Sequence, residues 1–306
     1  MVSLKPGPTS DAPTKDPVVT THATEPSAPR IAVAIPCYNE AAAIAFVIEQ
    51  YRAALPTAEI VVFDNNSTDG TGDIARGLGV RVVDVPAQGK GHAVQAAFAT
   101  LKDADVVVLT DGDGTYPAAS AQALIGPILA GEADMTVGAR RPVEGEKAMA
   151  PVRGLGNILI RFAFALLIGA PAGDLLSGYR AFNKRFRDSV RLRKGGFEVE
   201  TELASEAIGL GYRVVEIPVP YYPRVGGGVS KLRAFRDGRR IFGTIFRQGW
   251  RLRPWRMVLL LALFFSAQAI YSESTSTYGK AGLIISFFLL FLDDVLRTKV
   301  FRRGKS

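Results

Sequence analysis

The chain has 306 residues, of which 48% are hydrophobic and 22% charged, with a mean hydropathy of +0.15 and a formal charge of +8. That length allows one large domain or a domain with an appendage, and the apolar share excludes a disordered chain. A single cysteine, Cys37, and two histidines, His22 and His92, exclude a disulfide framework and a thiolate or histidine-rich metal cluster, so any metal here is held by oxygen.

Residues 1–29 are rich in Pro, Thr, Ser and Ala, contain no apolar run and show no signal-peptide pattern; they are predicted to be a disordered leader. A catalytic-sized body follows over 30–230. Residues 31–36 form an apolar run closed by Pro36, followed by Asn39, Glu40 and an Ala-rich periodic stretch to Ala54, which reads as strand, turn and helix. The pattern repeats, with strands predicted at 59–63, 80–85 and 105–110 and helices at 69–78 and 92–101. Such alternation means a mostly parallel sheet covered on both faces, in which ligands bind beyond the carboxyl ends of the strands.

Three of those ends carry acidic or turn residues: Pro36-Cys37-Tyr38-Asn39-Glu40, then Asp64 through Thr71, then Asp111-Gly112-Asp113-Gly114-Thr115. Their chemistry is expected to converge in one cleft. Neither a Gly-x-Gly-x-x-Gly turn nor a Walker lysine loop is present, so dinucleotide and P-loop readings lack their phosphate cradle. Asp111 and Asp113, one residue apart on a Gly-rich turn, offer oxygen ligands suited to Mg²⁺ or Mn²⁺; a solvated acidic turn is the competing reading. Asp64 is placed to accept hydrogen bonds from a base or ribose, and residues 67–71 to cap the next helix. Gly89-Lys90-Gly91 opens a helix and is expected to set a cation and free amides where a diphosphate would lie. Cys37 reads as a packing residue, since nothing nearby would lower its pKa.

Residues 154–172 are apolar apart from Asn157 and Arg161, and fit either a buried core helix or an interfacial helix guiding a lipid acceptor. Between Arg224 and Arg256 lie ten Lys or Arg against Asp237 alone, and the last ten residues add five more bases. The remainder is acidic, which speaks against a nucleic-acid binder. The positive charge brackets two apolar runs, 255–271 and 278–292. We therefore expect a basic interfacial amphipathic helix over 231–253, a transmembrane hairpin over 254–296 and a basic tail over 297–306. The basic flanks would sit on anionic lipid, with the catalytic domain on the cytoplasmic face; a buried hairpin in a soluble protein is the competing reading.

As a set, Ile35-Pro36-x-Tyr38-Asn39-Glu40, Asp64-x-x-Ser67-x-Asp69-Gly70-Thr71, Gly89-Lys90-Gly91 and Asp111-x-Asp113 resemble the inverting glycosyltransferases of family 2. That family has the nucleotide-sugar-binding GT-A fold, a Rossmann-like α/β architecture with a mixed sheet. Within it the chain is most similar to the polyprenyl (dolichyl) phosphate mannosyl- and glucosyltransferases, through Asp174-Leu175-Leu176-Ser177-Gly178-Tyr179-Arg180, the stretch from Gly211 to Pro218, and Arg224 followed by Ser230-Lys231-Leu232. The resemblance covers about residues 31–256. It implies that Pro36, Tyr38, Glu40 and Asp64 hold the nucleoside and that Asp111 and Asp113 bind the metal and diphosphate. It further implies that Arg140 and Arg153 lie near the donor and acceptor phosphates, that Asn157 stands where a relative uses an assisting serine, and that Arg224 and Lys231 close over the phosphates. Thr115 occupies the place of a Gln that ligates the metal in some relatives, and is a shorter, weaker ligand.

The implied reaction moves a hexosyl group from a nucleotide diphosphate sugar to polyprenyl phosphate. A hydroxyl acceptor on a glycolipid, polysaccharide or protein is the alternative; it needs a base, for which Asp174, Glu198 and Glu200 are available. A catalytically silent membrane scaffold is the reading of another class. A nucleotidyltransferase is disfavoured, because Pro36-Cys37-Tyr38 stands where its Gly-rich, Arg-containing loop belongs.

Overall fold

Runs such as Val106-Val107-Val108-Leu109 put branched side chains on both faces of a strand, which is stable only where both faces are covered. The computed structural model, which describes residues 28–143, 151–171, 173–227, 231 and 234–271, shows this arrangement. Seven strands form one sheet: β1 (Ile31–Cys37), β2 (Glu59–Asp64), β3 (Arg81–Asp84), β4 (Val106–Leu109), β5 (Met135–Pro142), β6 (Arg180–Asn183) and β7 (Val214–Tyr221). Their spatial order is β3-β2-β1-β4-β6-β5-β7. The helices are α1 (Ile44–Ala54), α2 (Thr71–Gly77), α3 (Lys90–Thr100), α4 (Ala121–Leu129), α5 (Pro151–Ile168), α6 (Lys184–Ser189), α7 (Val199–Gly209), α8 (Ala234–Leu252) and α9 (Pro254–Tyr271).

Strands β1 to β4 pair in parallel, whereas β6 runs antiparallel between β4 and β5, matching Val106 with Asn183 and Leu109 with Arg180. The sheet is therefore mixed, as the GT-A fold implies. The two-residue period of each strand sorts its side chains: Val33, Ile35, Val62 and Val108 pack under α1, α2 and α4, while Ala32, Ala34, Val61, Phe63 and Val107 pack against α3, α6 and α7.

A third apolar cluster lies outside the sheet, where Ala163, Phe164, Leu167 and Ile168 of α5 meet Ile241 and Ile245 of α8 and Met257 of α9. Glu206 of α7 fastens α8 by accepting hydrogen bonds from Gln248 and Arg251. Only one face of α5 and α8 is used in this packing. Among the described residues no helix is long and apolar enough to cross a membrane. The second apolar run, the basic tail and nearly all of the leader lie outside the described residues.

Candidate active site

The carboxyl ends of β1, β2 and β4 are adjacent because those strands are neighbours in the sheet, so their loops meet at one edge. The first two loops are laced together. Asn39 donates its amide to Ser67 Oγ at 2.9 Å and accepts from the Thr68 amide at 2.8 Å, and the Glu40 amide donates to Thr71 Oγ1 at 2.8 Å. Ala41 donates to Asp69 Oδ2 at 3.0 Å. The expected cap of α2 by residues 67–71 holds in part: Gly70 stands at the N-cap position without a side-chain bond, but Asp69 Oδ1 accepts from the amide of Thr71, the first residue of α2, at 3.0 Å, while the other side chains join the two loops. Asp64 is 9% exposed and accepts from the Ser67 amide at 3.1 Å, so it supports a loop at the floor of the cleft.

Above this floor lies a cleft of about 1380 Å³, lined by Pro36, Tyr38, Glu40, Lys90, Asp111, Asp113, Arg140, Asn157, Arg224 and Lys231 among others. Each acidic residue of the central pair has its own cation. Lys90 Nζ lies 2.6 Å from Asp111 Oδ1 and 2.7 Å from Glu200 Oε1, and Arg224 NH1 lies 2.8 Å from Asp113 Oδ2. Burial disfavours the charged form of Lys90, but the charges of Asp111 and Glu200 outweigh it and raise its pKa well above the ordinary lysine value. Asp113 is steadied from behind by the amide of Thr115 at 3.0 Å and its hydroxyl at 2.7 Å. Thr115, expected as a third metal ligand, is buried and donates its hydroxyl to Asp113 Oδ1, so in this structure it orients the neighbouring carboxylate.

Glu40 accepts from Lys231 Nζ at 2.6 Å, and the same ammonium donates to the carbonyls of Tyr38 and Asn39. Burial raises the pKa of Glu40, and Lys231 offsets part of that shift. Lys231 therefore ties the chain's later half to the β1 loop. Arg224 sits on the same segment, which is held to the Asp113 loop by Tyr222 N–H donating to Thr115 O at 2.9 Å and Val225 N–H to Asp113 O at 3.1 Å. Arg140 lines the cleft but spends two donors on Asp174, at 2.7 and 2.6 Å. Burial alone would raise the Asp174 pKa; the hydrogen bonds and charge of Arg140 reverse this and lower it.

In the Gly89-Lys90-Gly91 turn the cation lies in the cleft beside Asp111, whereas the two glycine amides, expected to be free, are engaged within the protein. Gly89 N–H donates to Asn65 Oδ1 and Gly91 N–H to the carbonyl of Gly195 at 2.9 Å. These glycines serve close backbone approach, since a Cβ on either would lie about 2 Å from a carbonyl oxygen of Gly195 or Lys194. Arg153 belongs to the first turn of α5, one turn before Asn157. Two site residues escaped assignment to the donor site from sequence. Gly178 presses on Asp111, where a Cβ would stand 2.7 Å from Oδ2 and 2.5 Å from Lys90 Nζ; its place in the Ser177-Gly178-Tyr179 motif was the available signal. Glu200 partners Lys90, and the acidic row Glu198, Glu200, Glu202 was its signal.

The donor set fits a hard divalent cation. Asp111 and Asp113 already hold positive charge at hydrogen-bond distance, and the missing side chain of Gly178 leaves the Asp111 carboxylate its space. Among the described residues no cluster of three or more His, Cys, Asp or Glu makes a full cage. A cation at this pair would complete its shell with water or phosphate oxygens, the habit of Mg²⁺. Cys37, buried beneath Gly112, has its pKa raised by burial and by the surrounding carboxylates, so it is a packing thiol.

The far wall of the cleft comes from α5 and α8, through Asn157, Ile160, Phe235 and Ile241. Helix α5 is two-faced: Ala163, Phe164 and Leu167 are buried, as the core-helix reading expects, while Ile158, Leu159 and Phe162 are exposed. On α8, expected to present one apolar face, Ile241 and Ile245 turn inward, whereas Phe235, Phe242, Phe246 and Trp250 form an exposed stripe beside Arg236, Arg240, Arg247 and Arg251.

The sequence model of the family described as glycosyl transferase family 2 matches residues 32–189. Glycosyltransferase AglJ of Haloferax volcanii is 38% identical over 256 residues, covering 84% of this chain and 81% of the relative. A dolichyl-phosphate hexose transferase of the same organism is 32% identical, covering 71% of this chain and 92% of the relative. Among solved structures, glucosyl-3-phosphoglycerate synthase of Mycobacterium tuberculosis, in complex with Mn²⁺ and UDP-glucose, superposes with a TM-score of 0.56 at 23% identity, covering 72% of this chain and 79% of that one. This last likeness concerns the fold.

Proposed function

The chain belongs to glycosyl transferase family 2, and we propose that it transfers a hexosyl group from a nucleotide diphosphate sugar to a polyprenyl phosphate at a membrane surface, inverting the anomeric carbon. The observation that carries this reading is the single cleft whose one end holds Asp111, Asp113, Lys90 and Arg224 and whose other end is walled by α5 and α8. Its volume exceeds that of a site for one small ligand, which is about 300–1,000 Å³. The dolichyl-phosphate hexose transferase among its relatives supports the same acceptor class.

Mg²⁺ or Mn²⁺ at Asp111 and Asp113 would supply Lewis-acid neutralisation of the departing diphosphate. Everything else falls to side chains. Lys90 holds Asp111 in place and adds a fixed positive charge beside it. Pro36, Tyr38 and Glu40 line the end of the cleft that suits a nucleoside, and Lys231 fastens that loop. Arg224, on the segment crossing the cleft, brings a cation to the phosphates. Arg153 and Asn157 of α5 orient the acceptor. An oxygen of the acceptor phosphate attacks the anomeric carbon while its bond to the diphosphate breaks, the electron pair leaving with the diphosphate.

A phosphate monoester has a second pKa of about 6 and is largely ionised at pH 7, so this acceptor needs no base. Of the three candidate bases an alcohol would need, Asp174 is locked to Arg140 and Glu200 is tied to Lys90, which leaves Glu198 as the carboxylate that the hydroxyl alternative would use. The exposed aromatic stripe and basic row of α8, continued by Ile158, Leu159 and Phe162 of α5, are built for an anionic lipid surface, which would place the cleft within reach of a lipid phosphate. The apolar and basic pattern from residue 254 onward suits a membrane anchor with the catalytic domain on the cytoplasmic side.

The test is transfer by the purified full chain in anionic vesicles with Mn²⁺, polyprenyl phosphate and labelled UDP-glucose or GDP-mannose. An acid-labile hexosyl phosphate lipid is the expected product. An acid-stable glycoside would move the acceptor to a hydroxyl, and no transfer from any nucleotide sugar would remove the donor assignment.

A further inference from the structure

We propose that Arg224 holds the position on Asp113 that a divalent cation needs, and that its guanidinium passes from this carboxylate to the phosphates of the donor when the cation binds. The inference rests on the metal reading of Asp111 and Asp113 above and gives Arg224 a place in the order of binding. The two carboxylates differ in access: the Asp111 side chain is 26% exposed, that of Asp113 only 4%. Both oxygens of Asp113 are engaged. Oδ1 accepts from the amide and the hydroxyl of Thr115 at 3.0 and 2.7 Å, and Oδ2 lies 2.8 Å from Arg224 NH1.

Of the two cations on the pair, Arg224 is the one placed to leave. Lys90 lies between Asp111 and Glu200 at the start of α3, so its departure would strip two carboxylates at once. Arg224 is 25% exposed and stands between the end of β7 at Tyr221 and the turn at Val225–Gly227, outside any helix or strand. The backbone beside it is pinned: Val225 N–H donates to Asp113 O at 3.1 Å, and Gly114 makes room for Val225, whose side chain a Cβ at that glycine would meet at 2.6 Å. The exchange therefore asks for movement of the Arg224 side chain alone. Glu40 Oε1, 3.6 Å from NH1, keeps that side chain near the cleft.

Charge makes the two occupants of Asp113 exclusive. Mg²⁺ and Mn²⁺ bind carboxylate oxygens directly, and a doubly charged ion brought to Oδ2 repels a guanidinium a few ångströms away. A buried carboxylate left unpaired is costly, so Asp113 keeps Arg224 until another cation takes its place. The donor diphosphate supplies the new partner, because a guanidinium pairs with phosphate oxygens through a bidentate fork. Arg224 thus opposes the cation alone and favours the cation together with a nucleotide.

Effects of opposite sign separate this role from a structural one. Uptake of Mn²⁺ by the purified full chain in detergent, without nucleotide, is read from the electron paramagnetic resonance of the free ion; it is expected to be about tenfold tighter for Arg224→Met than for the parent. Under saturating Mn²⁺, isothermal titration should show UDP or GDP, whichever the parent binds, about tenfold weaker for the same variant. Arg224→Lys, which keeps the charge and loses the fork, should fall between and carries the test should Arg224→Met fail to fold. Mn²⁺ uptake that is unchanged or weaker in Arg224→Met would overturn the proposal, as would nucleotide affinity that does not fall. Asp113→Asn tells that failure from a failure of the metal reading: with the reading intact it loses most of its Mn²⁺ affinity, whereas uptake equal to the parent's would move the cation elsewhere and bring down both.

Discussion

The cleft joins two regions built on opposite rules. On the sheet side most charges have a partner at close range: Asp111 with Lys90, Asp113 with Arg224, Glu40 with Lys231 and Asp174 with Arg140. On the helical side Phe235 is 90% and Phe162 66% exposed, beside a row of arginines. The first region is held by these ion pairs. The second exposes aromatic and aliphatic side chains beside arginines. On the proposed reading, donor chemistry belongs to the first region and acceptor delivery to the second, so each should be open to damage without the other.

The largest expected effect falls on the sheet side. Asp113→Asn removes one charge from the pair proposed to face the diphosphate, and hexosyl transfer should fall about 10²–10³-fold with vesicle binding unchanged, as measured by labelled transfer and sedimentation. Retention of full turnover would break the assignment of the pair. On the helical side, replacing Phe242, Phe246 and Trp250 together by Ser should cut partition into anionic vesicles about a hundredfold while leaving nucleotide affinity intact. If affinity for nucleotide fell in parallel, the two regions would not be independent.

A third prediction concerns stability. Asp174 has its folded pKa below the unfolded value of about 3.9, so its pair with Arg140 contributes fully above that value, and the contribution is lost as pH falls through the folded pKa. Asp174→Asn should therefore cost about 2 kcal/mol at pH 7, with the gap from the parent closing below pH about 4. Urea unfolding at pH 7 and at successively lower pH measures both; a gap that does not narrow as the pH falls below about 4 would contradict the pair's role. The smallest effect is expected for Gly178→Ala, whose added Cβ must displace Lys90 or Asp111. Transfer should fall about tenfold with little change in unfolding midpoint. An undiminished rate would show that Asp111 need not keep its present place.

The legible part of this molecule is the part written locally. Strands buried on both faces require unbroken apolar runs, and loops at strand ends require turn residues, so β1 to β4 and the acidic sites after them could be read in order. The boundaries shifted by a residue or two where a loop used the terminal residues, as at Asp69, which bonds Thr71 and Ala41 in place of starting α2. The reversed strand β6 had no such mark, because four residues, Arg180 to Asn183, carry no direction of their own.

Residue types and spacing by themselves determined the alternating architecture, the oxygen-only character of any metal site, the convergence of the Asp64 and Asp111 loops and the uneven distribution of charge. Tertiary structure alone decided which partner each group has: that Thr115 serves Asp113, that the Gly89 and Gly91 amides serve the loops around them, that Lys231 reaches Glu40 across 191 positions, and that α8 divides its apolar residues between two faces. The physical reason is range. Periodicity and turn chemistry are set within a few residues, whereas a hydrogen bond or an ion pair is set by proximity in space, which the chain acquires only once the sheet has brought its distant strands together.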